Sequence, residues 1–281
     1  MDLMAKLNEQ TVLKVSLKDL SEPIFKRKIF CGDIIIIEKC YEIFEIINMT
    51  ERYFSSSFNV TLNDFTNGKL KSNITNDKLF LILQKRIKNC KLIKKKFSSL
   101  VSKIGLNTSS TFMDKITIRF SPKSGDKTIG NLSPTEAHRD TWASNITNQI
   151  NFWFPLHNVT KKNSIFFVPY YFARKIPNNS KTWSFSLYKK KKDYPSVPTT
   201  KKEIKDKDMV RFKLSKGQVI CFSGHHLHGS MVGTKERINL ETRTVSSNDD
   251  KQYSVPRNVD SESRVIKKKW FKNLETEENF F

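Results

Sequence analysis

The stretch "VRFKLSKGQVICFSG" (210–224) holds the pattern that decides the fold. Two short runs rich in β-branched and aromatic residues are separated by a turn at Lys216-Gly217. The same pattern of short β-rich runs begins near residue 112, and turns with Gly, Pro, Asn or Lys separate the runs. It recurs in "KITIRFSP" (115–122), "NQINFWFPL" (148–156), "NSIFFVPYY" (163–171) and "ERINLETRTVS" (236–246). Short β-rich runs of this kind are typical of an antiparallel sandwich or jelly roll.

The sequence before this β-rich region has a different periodicity. "IFCGDIIIIEKC" (29–40) predicts an apolar strand entered through Gly32. "YEIFEIINMTERYFSSSF" (41–58) spaces its apolar residues three and four apart, which predicts an amphipathic helix. Residues 76–105 predict a second helix, whose apolar stripe consists of Leu79, Ile82, Leu83, Ile87, Cys90 and Phe97.

Helices followed by a β-rich core predict an α+β protein in which the helices pack against one sheet. We expect a single domain over residues 1–281. Its parts are a helical N-terminal part (1–110), a jelly-roll core (111–246) and a peripheral C-terminal extension (247–281).

Composition restricts the partners and the compartment. The 281 residues carry a formal net charge of +22, which attracts anionic substrates or an anionic membrane surface. Nucleic acid is not an expected partner, because Lys greatly outnumbers Arg and aromatic residues do not interleave with the basic runs. Scattered cysteines and the lack of a secretory or membrane-length apolar run predict a cytoplasmic protein, with association at the inner membrane face as an alternative. The run Lys189 to Lys192 is either a loop that meets phosphate or membrane, or a solvated turn.

The stretch "EAHRDTWASN" (136–145) raises the question of a metal site. If His138 and Asp140 lie on one strand, both side chains point to the same face and can bind one ion. A third ligand is expected from "FSGHHLHGS" (222–230), which a jelly roll can bring opposite. Two histidines and one carboxylate leave open positions, as in non-haem Fe(II) oxygenases. The alternative is a solvent-exposed His-Asp pair and an ordinary turn.

A 2-oxoglutarate co-substrate adds a further requirement. Its distal carboxylate needs a cation that can make a bidentate contact, and arginine suits this best. Arg237 and Arg243 follow in "ERINLETR", where their even spacing on a strand puts them on the same face as Asn239 and Glu241.

Several segments together resemble a known family. "AHRDTW", "NQINFWFPL", "NSIFFVPYYFARKIPNNS", "GQVICFSGHHLHGSM" and "RINLETRTV" resemble the Fe(II)/2-oxoglutarate dioxygenases related to phytanoyl-CoA hydroxylases. They are most similar to the group that contains the Kdo 3-hydroxylase. "IFCGDIIII" and "VPRNVDSES" are similar to that group as well, so the resemblance covers roughly residues 28–262. It implies a double-stranded β-helix, cupin-like fold with flanking N-terminal helices.

The resemblance also implies roles for residues. His138, Asp140 and His228 are the implied metal and catalytic residues, with Fe(II), 2-oxoglutarate and O2 as cofactors and ascorbate as a candidate addition. Arg237 is the implied partner of the distal carboxylate, and Arg243 is its alternative. The residues implied to line the pocket or contact an anion are Asn151, Trp153 and Arg119.

The other histidines have lesser expected roles. His226 is expected to support the metal or touch substrate, whereas His225 and His157 are expected to be packing or surface residues. Family halogenases lack a carboxylate at the position of Asp140, so the resemblance implies hydroxylation. The turn between His228 and Arg237 is about two residues shorter than is usual in the group, which leaves Arg243 as an alternative.

For the substrate, the resemblance implies an unactivated C–H bond of a sugar acid, such as Kdo of lipopolysaccharide or lipid A. One alternative keeps the chemistry and changes the substrate to an amino acid or secondary metabolite. Another is a non-catalytic jelly-roll protein that binds acidic glycans. Such folds keep the metal site while the loops around it change.

Overall fold

Two β-sheets form the centre of the protein, in a computed structural model that describes residues 11–66, 77–123, 134–191 and 194–280. The strands are β1 (Val12–Val15), β2 (Ile34–Ile37), β3 (Thr111–Met113), β4 (Thr117–Ser121), β5 (Ile150–Pro155), β6 (Ile165–Phe167), β7 (Val210–Arg211), β8 (Val219–Ser223), β9 (His228–Ser230), β10 (Arg237–Ser246) and β11 (Lys272–Asn273). The larger sheet has the order β1-β2-β8-β5-β10-β3-β11, with β4 also paired to β10, and the smaller sheet is β7-β6-β9. Except for β1 with β2, the strands pair antiparallel.

Helices pack on one face of the larger sheet and share the main core with it. They are α1 (Glu22–Phe30), α2 (Tyr41–Phe58), α3 (Leu62–Thr66), α4 (Asp77–Lys88) and α5 (Lys91–Lys103). Further along the chain lie α6 (Asp140–Ser144), α7 (Phe185–Lys190) and α8 (Asp249–Gln252). The main core joins helix and strand residues; for example, the rings of Phe97 on α5 and Phe152 on β5 meet edge to face at 5.2 Å. The predicted α+β class, with helices packed on a jelly-roll sheet, is confirmed.

Helix α2 has the bounds that the periodicity predicts. Its buried apolar side chains, Ile43, Ile46, Ile47, Phe54 and Phe58, recur at helical spacing and face the core. The helix ends at Asn59, which takes a left-handed conformation (φ 55°), one that Asn tolerates better than most residues. The predicted strand entered through Gly32 is also confirmed, because β2 follows that residue and Gly32 has φ 98°.

The single helix predicted over residues 76–105 is wrong. Two helices, α4 and α5, are separated at Cys90, whose backbone is extended (φ −76°, ψ 105°). Both contact α2. A straight helix of that length spans about 45 Å, whereas the 18 residues of α2 span only about 27 Å, so the break keeps both halves on α2. Ile82 accordingly leaves the predicted stripe and is 53% exposed.

A second core lies between the two sheets. Trp153, Ile220 and Phe222 of the larger sheet pack with Ile165 and Phe167 of the smaller one. The rings of Phe167 and Phe222 meet edge to face at 4.9 Å. This packing fixes the spacing between β5, β8 and the smaller sheet, and so places the inward-facing polar side chains described below.

The C-terminal stretch, predicted to be a peripheral extension, is packed into the fold instead. Strand β11 pairs with β3 at the edge of the larger sheet, and the Phe271 side chain is fully buried. The Lys267 N–H donates to the Ser144 carbonyl of α6 at 2.8 Å. The prediction rested on the polar average composition of residues 247–281, which does not indicate a single buried apolar residue such as Phe271.

The basic run at residues 189–192 and the expected lack of a membrane-spanning segment can be compared with the described residues. Lys189 and Lys190 close helix α7 instead of forming a loop, and Lys192 lies outside the described residues. In the portion of the chain that the structure covers, no helix combines the length and the apolar character needed to cross a bilayer.

Candidate metal centre and cavity

Three buried side chains that suit a metal ion converge beside the core between the sheets. One ligand atom from each of His138, Asp140 and His228 lies within 4.8 Å of the others. The imidazole rings of the two histidines are 4.2 Å apart between centroids. The Nε2 atom of His228 lies 3.6 Å from the Asp140 carboxylate. Residues 90 positions apart in sequence therefore form one compact group of donor atoms.

The backbone around His138 differs from the predicted strand. His138 forms an isolated antiparallel bridge with His228, with N–H to carbonyl distances of 2.8 and 2.9 Å in the two directions. Asp140 is the first residue of helix α6, so the expectation that both residues share one strand is wrong. The bridge brings the two imidazoles together, and the turn into the helix directs the carboxylate towards them.

Hydrogen bonds set the tautomers of both rings. The Nδ1 of His138 lies 2.8 Å from the Glu136 carbonyl, and the Nδ1 of His228 lies 2.9 Å from the His226 carbonyl. Since a carbonyl only accepts, each Nδ1 carries the proton and each Nε2 keeps its lone pair. Burial, with His138 adding to it, lowers the pKa of His228 to about 4, and burial also lowers the pKa of His138. Neutral imidazoles with a free Nε2 are what metal binding requires.

Asp140 is held by two neighbours. The Asn151 amide donates to its carboxylate at 2.5 Å, and an Arg243 guanidinium nitrogen lies 3.4 Å away. Burial alone raises the pKa of this carboxyl, but Arg243, His228 and His138 outweigh it, so the pKa stays below the usual value. The carboxylate is therefore ionised and oriented before any ion arrives.

The two candidate arginines have different surroundings. Arg243 pairs with the carboxylates of both Asp114 and Asp140, and these carboxylates keep the pKa of Arg243 above its usual value despite burial. Arg237 is only 2% exposed, and no carboxylate among the described residues forms an ion pair with it. Burial lowers the pKa of Arg237 to about 10. Among the described residues, Arg237 is thus a buried cation with no carboxylate in ion-pair contact, although Glu241 acts on its charge from a greater distance.

The donors of Arg237 are largely occupied by uncharged acceptors. Its guanidinium donates to the carbonyls of Asn163 and Ser164, the amide oxygen of Asn239 and the hydroxyl of Ser230. An arginine has five N–H donors, so one remains. The Ser230 hydroxyl accepts from Arg237 and so keeps its own hydrogen to donate. A carboxylate can therefore receive one hydrogen bond from each residue, a different arrangement from the expected bidentate contact with arginine alone.

A cavity of about 480 Å³ opens beside these groups. Its wall includes all eight residues named from the sequence, namely Arg119, His138, Asp140, Asn151, Trp153, His228, Arg237 and Arg243. Arg119 donates to the Glu241 carboxylate at 2.7 Å, so its charge is already compensated. The Arg237 guanidinium lies 5.4 Å from the Trp153 ring centroid, which makes that ring part of the pocket around the cation.

The other histidines do not line this cavity. The ring of His226 contacts the carbonyls of Gly32 and Ser223, each at 3.0 Å, so the expectation that it touches substrate is wrong. Its backbone carbonyl, instead, orients His228. His225 is buried against Phe172, as a packing residue should be. His157 bonds with backbone groups near the end of β5.

Arg139, between the two residues of the His-x-Asp motif, anchors that segment. It is 1% exposed and donates to the carbonyls of Tyr171, Phe172, Arg174 and His225. Its charge is balanced by Asp260 at 3.4 Å.

The Asp260 carboxylate makes further hydrogen bonds beside its contact with Arg139. It also accepts from the indole of Trp142, on helix α6, at 2.7 Å and from the Ile176 backbone N–H at 3.0 Å. Arg139 and Trp142, which flank Asp140 in the sequence, thus both bond to a residue 120 positions after it.

We expect Asp260→Asn to lower the free energy of unfolding by about 3 kcal/mol, because it leaves the buried Arg139 charge without a partner. The dissociation constant for Ni(II) should rise about tenfold, since such outer contacts typically change metal affinity about 10- to 100-fold. Chemical denaturation and calorimetry measure the two effects. Glu262→Gln, a change at an exposed neighbour, is the matched control. Unchanged metal affinity in Asp260→Asn would contradict the positioning role.

Sequence reasoning missed four residues of the site. Ser230 follows His228 at strand spacing, and that i, i+2 relation could have indicated it. Asp260 lies within "VPRNVDSES", which carried part of the resemblance. Asp114 and Trp270 have no local signal, because their partner Arg243 is distant in sequence.

Comparisons with known proteins place the chain among oxygenases. A family model described as phytanoyl-CoA dioxygenase (PhyH) matches residues 50–234, well over half of the chain. No curated protein matches at a significant level. The crystal structure of EvdO2 from Micromonospora carbonacea var. aurantiaca complexed with 2-oxoglutarate matches with a TM-score of 0.49 and 11% identity, over 79% of this chain and 90% of that chain. The epimerase SnoN in complex with Fe3+, alpha ketoglutarate and nogalamycin RO matches with a TM-score of 0.44 and 12% identity, over 81% and 86%. Likenesses at these identities say nothing about the substrate.

Proposed function

The chain belongs to the phytanoyl-CoA dioxygenase family and is a 2-oxoglutarate-dependent dioxygenase, and on that premise we propose that it hydroxylates an unactivated C–H bond of a sugar acid. Kdo of lipopolysaccharide or lipid A is the specific candidate. The observation that carries the chemistry is the buried group of His138, Asp140 and His228 beside a cavity. Their donor set, two neutral imidazoles and one carboxylate, fits Fe(II).

In this proposal His138, Asp140 and His228 bind the ferrous ion through Nε2, a carboxylate oxygen and Nε2. Bound Fe(II), together with 2-oxoglutarate and O2, supplies the oxidising power that an unactivated C–H bond requires. The chain holds its three donors in the protonation states and orientations that binding needs, so little reorganisation accompanies loading. Trp153 and Asn151 shape the wall behind them.

Arg237 and Ser230 bind the distal carboxylate of 2-oxoglutarate in the proposal. The buried charge of Arg237, which has no ion pair among the described residues, and the free hydrogen of Ser230 support this assignment. Arg243 is less suited, because Asp114 and Asp140 already neutralise it, and it holds Asp140 instead. Arg119, paired with Glu241, is placed to meet an anionic group of substrate at the cavity wall.

The charge of the cavity supports an anionic substrate. Six basic side chains line it (Lys88, Lys115, Arg119, Lys189, Arg237 and Arg243), against three carboxylates (Asp114, Asp140 and Glu241). A net positive cleft concentrates and orients an anion. We test the assignment by mass spectrometry, searching for products that gain one oxygen atom, with succinate release measured alongside. The substrates are Kdo-containing lipid A precursors, amino acids and cell extracts. Turnover of amino acids alone would overturn the sugar-acid assignment.

We expect a weak visible charge-transfer band when Fe(II) and 2-oxoglutarate are added to the protein without oxygen, because the keto acid then chelates the metal. Absorbance spectroscopy measures it, and His228→Ala, which lacks one donor, serves as the control without a band. A reconstituted wild-type protein without the band would favour a jelly-roll protein that binds acidic glycans.

A further inference from the structure

Three lysines form the exposed edge of the cavity. Lys88 ends helix α4, Lys115 lies between β3 and β4, and Lys189 belongs to α7. All three line the cavity, and all three are exposed, whereas Arg237 in the same cavity is fully buried. We call these lysines the lysine rim. The cavity therefore runs from a buried cation to a rim of cations.

The ammonium groups of the lysine rim form no ion pair with the three carboxylates that line the cavity. Of the three carboxylates there, Asp114 and Asp140 pair with Arg243, and Glu241 pairs with Arg119. In residues 11–66, 77–123, 134–191 and 194–280, no carboxylate forms an ion pair with Lys88, Lys115 or Lys189. Partial desolvation of its ammonium, together with the neighbouring cations Arg119 and Lys115, lowers the pKa of Lys88, although Asp114 and Glu241 oppose the shift.

An aromatic surface lies next to the lysine rim. The rings of Phe185 and Trp270 are 5.0 Å apart between centroids and tilted by 57°, and both line the cavity. The Lys189 ammonium lies 4.7 Å from the Phe185 centroid. Both rings are half-buried and contribute to the cavity wall. The C–H-bearing face of a sugar ring suits the negative face of an aromatic ring.

We infer that the lysine rim binds a phosphate group of the substrate while the sugar ring that carries it lies against Phe185 and Trp270. This inference rests on the proposed function and narrows its substrate to a phosphorylated glycan. Phosphate is favoured over a second carboxylate because lysine binds phosphate as a point charge, whereas planar carboxylates favour the fork of arginine. The rim offers three lysines, and the arginines of the cavity already have other partners or lie at its base.

The test uses the full chain loaded with Ni(II), which occupies the metal site without turnover, and saturating 2-oxoglutarate, which occupies Arg237. Calorimetry measures the binding of glucose 6-phosphate, glucose and inorganic phosphate. We expect each of Lys88→Ala, Lys115→Ala and Lys189→Ala to weaken glucose 6-phosphate about threefold, and the triple variant about 30-fold. A triple Lys→Arg variant should stay within about threefold of wild type, because it keeps the charge.

Matched controls separate the rim from general basicity. Lys95, Lys201 and Lys213 are exposed and do not line the cavity, so their triple alanine variant should change affinity less than twofold. Trp270→Leu should weaken glucose 6-phosphate about fivefold and leave inorganic phosphate unchanged, since only the sugar meets the ring.

Three outcomes would overturn the inference. In the first, wild-type protein binds neither glucose 6-phosphate nor inorganic phosphate. In the second, the triple alanine variants of the lysine rim and of the control lysines lose the same affinity for glucose 6-phosphate. In the third, the triple alanine variant of the lysine rim loses binding to phosphatidylglycerol vesicles but keeps its affinity for glucose 6-phosphate. The last outcome would assign the rim to a membrane surface. The charge-transfer band, measured on the same variants with Fe(II), reports the proposed function separately. A normal band with no phosphate binding leaves the dioxygenase intact and removes only the phosphate subsite.

Discussion

Asp140→Ala is expected to abolish measurable succinate formation. Structural metal sites with four ligands bind with apparent free energies of about 10–16 kcal/mol, or about 2.5–4 kcal/mol for each ligand. Loss of the only carboxylate among the three donors should therefore weaken metal binding about 70- to 900-fold. Metal titration and succinate release measure the two consequences.

The fold should survive this change, because Arg243 keeps its contact with Asp114 when Asp140 is removed. Asp114→Ala is the matched control: it removes the other carboxylate of Arg243 and leaves all three metal donors in place. We expect it to lower activity only about tenfold, the effect of a lost outer contact. If Asp140→Ala retains turnover comparable to Asp114→Ala, Asp140 is not a metal ligand.

Arg237→Ala is the second substitution for which we expect a large effect, here on the binding of 2-oxoglutarate. It should raise the KM for 2-oxoglutarate about 10- to 150-fold, since a hydrogen bond to a charged group contributes about 1.5–3 kcal/mol. Initial rates at varied 2-oxoglutarate measure this change. The thermal stabilisation that 2-oxoglutarate confers on the Ni(II)-loaded protein should also disappear, which a defect in turnover alone would not cause.

Arg119→Ala is the control for this prediction. It removes a cation from the same cavity, but one that Glu241 already neutralises, so the KM for 2-oxoglutarate should change less than threefold. Ser230→Ala should raise that KM about fivefold, as loss of one neutral donor predicts. A normal KM in Arg237→Ala would transfer the role to Arg243.

Local periodicity predicted the elements that depend on local geometry. Helix α2 appears where the apolar spacing put it, because a helix repeats every 3.6 residues wherever one face is buried. Strand β2 appears where a short, continuous apolar run put it, and all four of its residues are buried. The two-residue repeat of a strand put Arg237, Asn239, Glu241 and Arg243 on one face of β10. The helix break at Cys90 escaped prediction, because it depends on the length of the neighbouring α2.

The sequence by itself determined which donors are available and their order along the chain: His138 and Asp140, then His228, then Arg237. Only the tertiary structure decided that a backbone bridge joins the two histidines and that Asp140 starts a helix. It also decided that Arg243 pairs with two carboxylates, whereas none of the described carboxylates forms an ion pair with Arg237. The physical reason is distance along the chain. A side chain's neighbours within four residues follow from local geometry, whereas the contacts of Arg243 with Asp114, or of Arg139 with Asp260, join residues more than a hundred positions apart through the packing of the sheets.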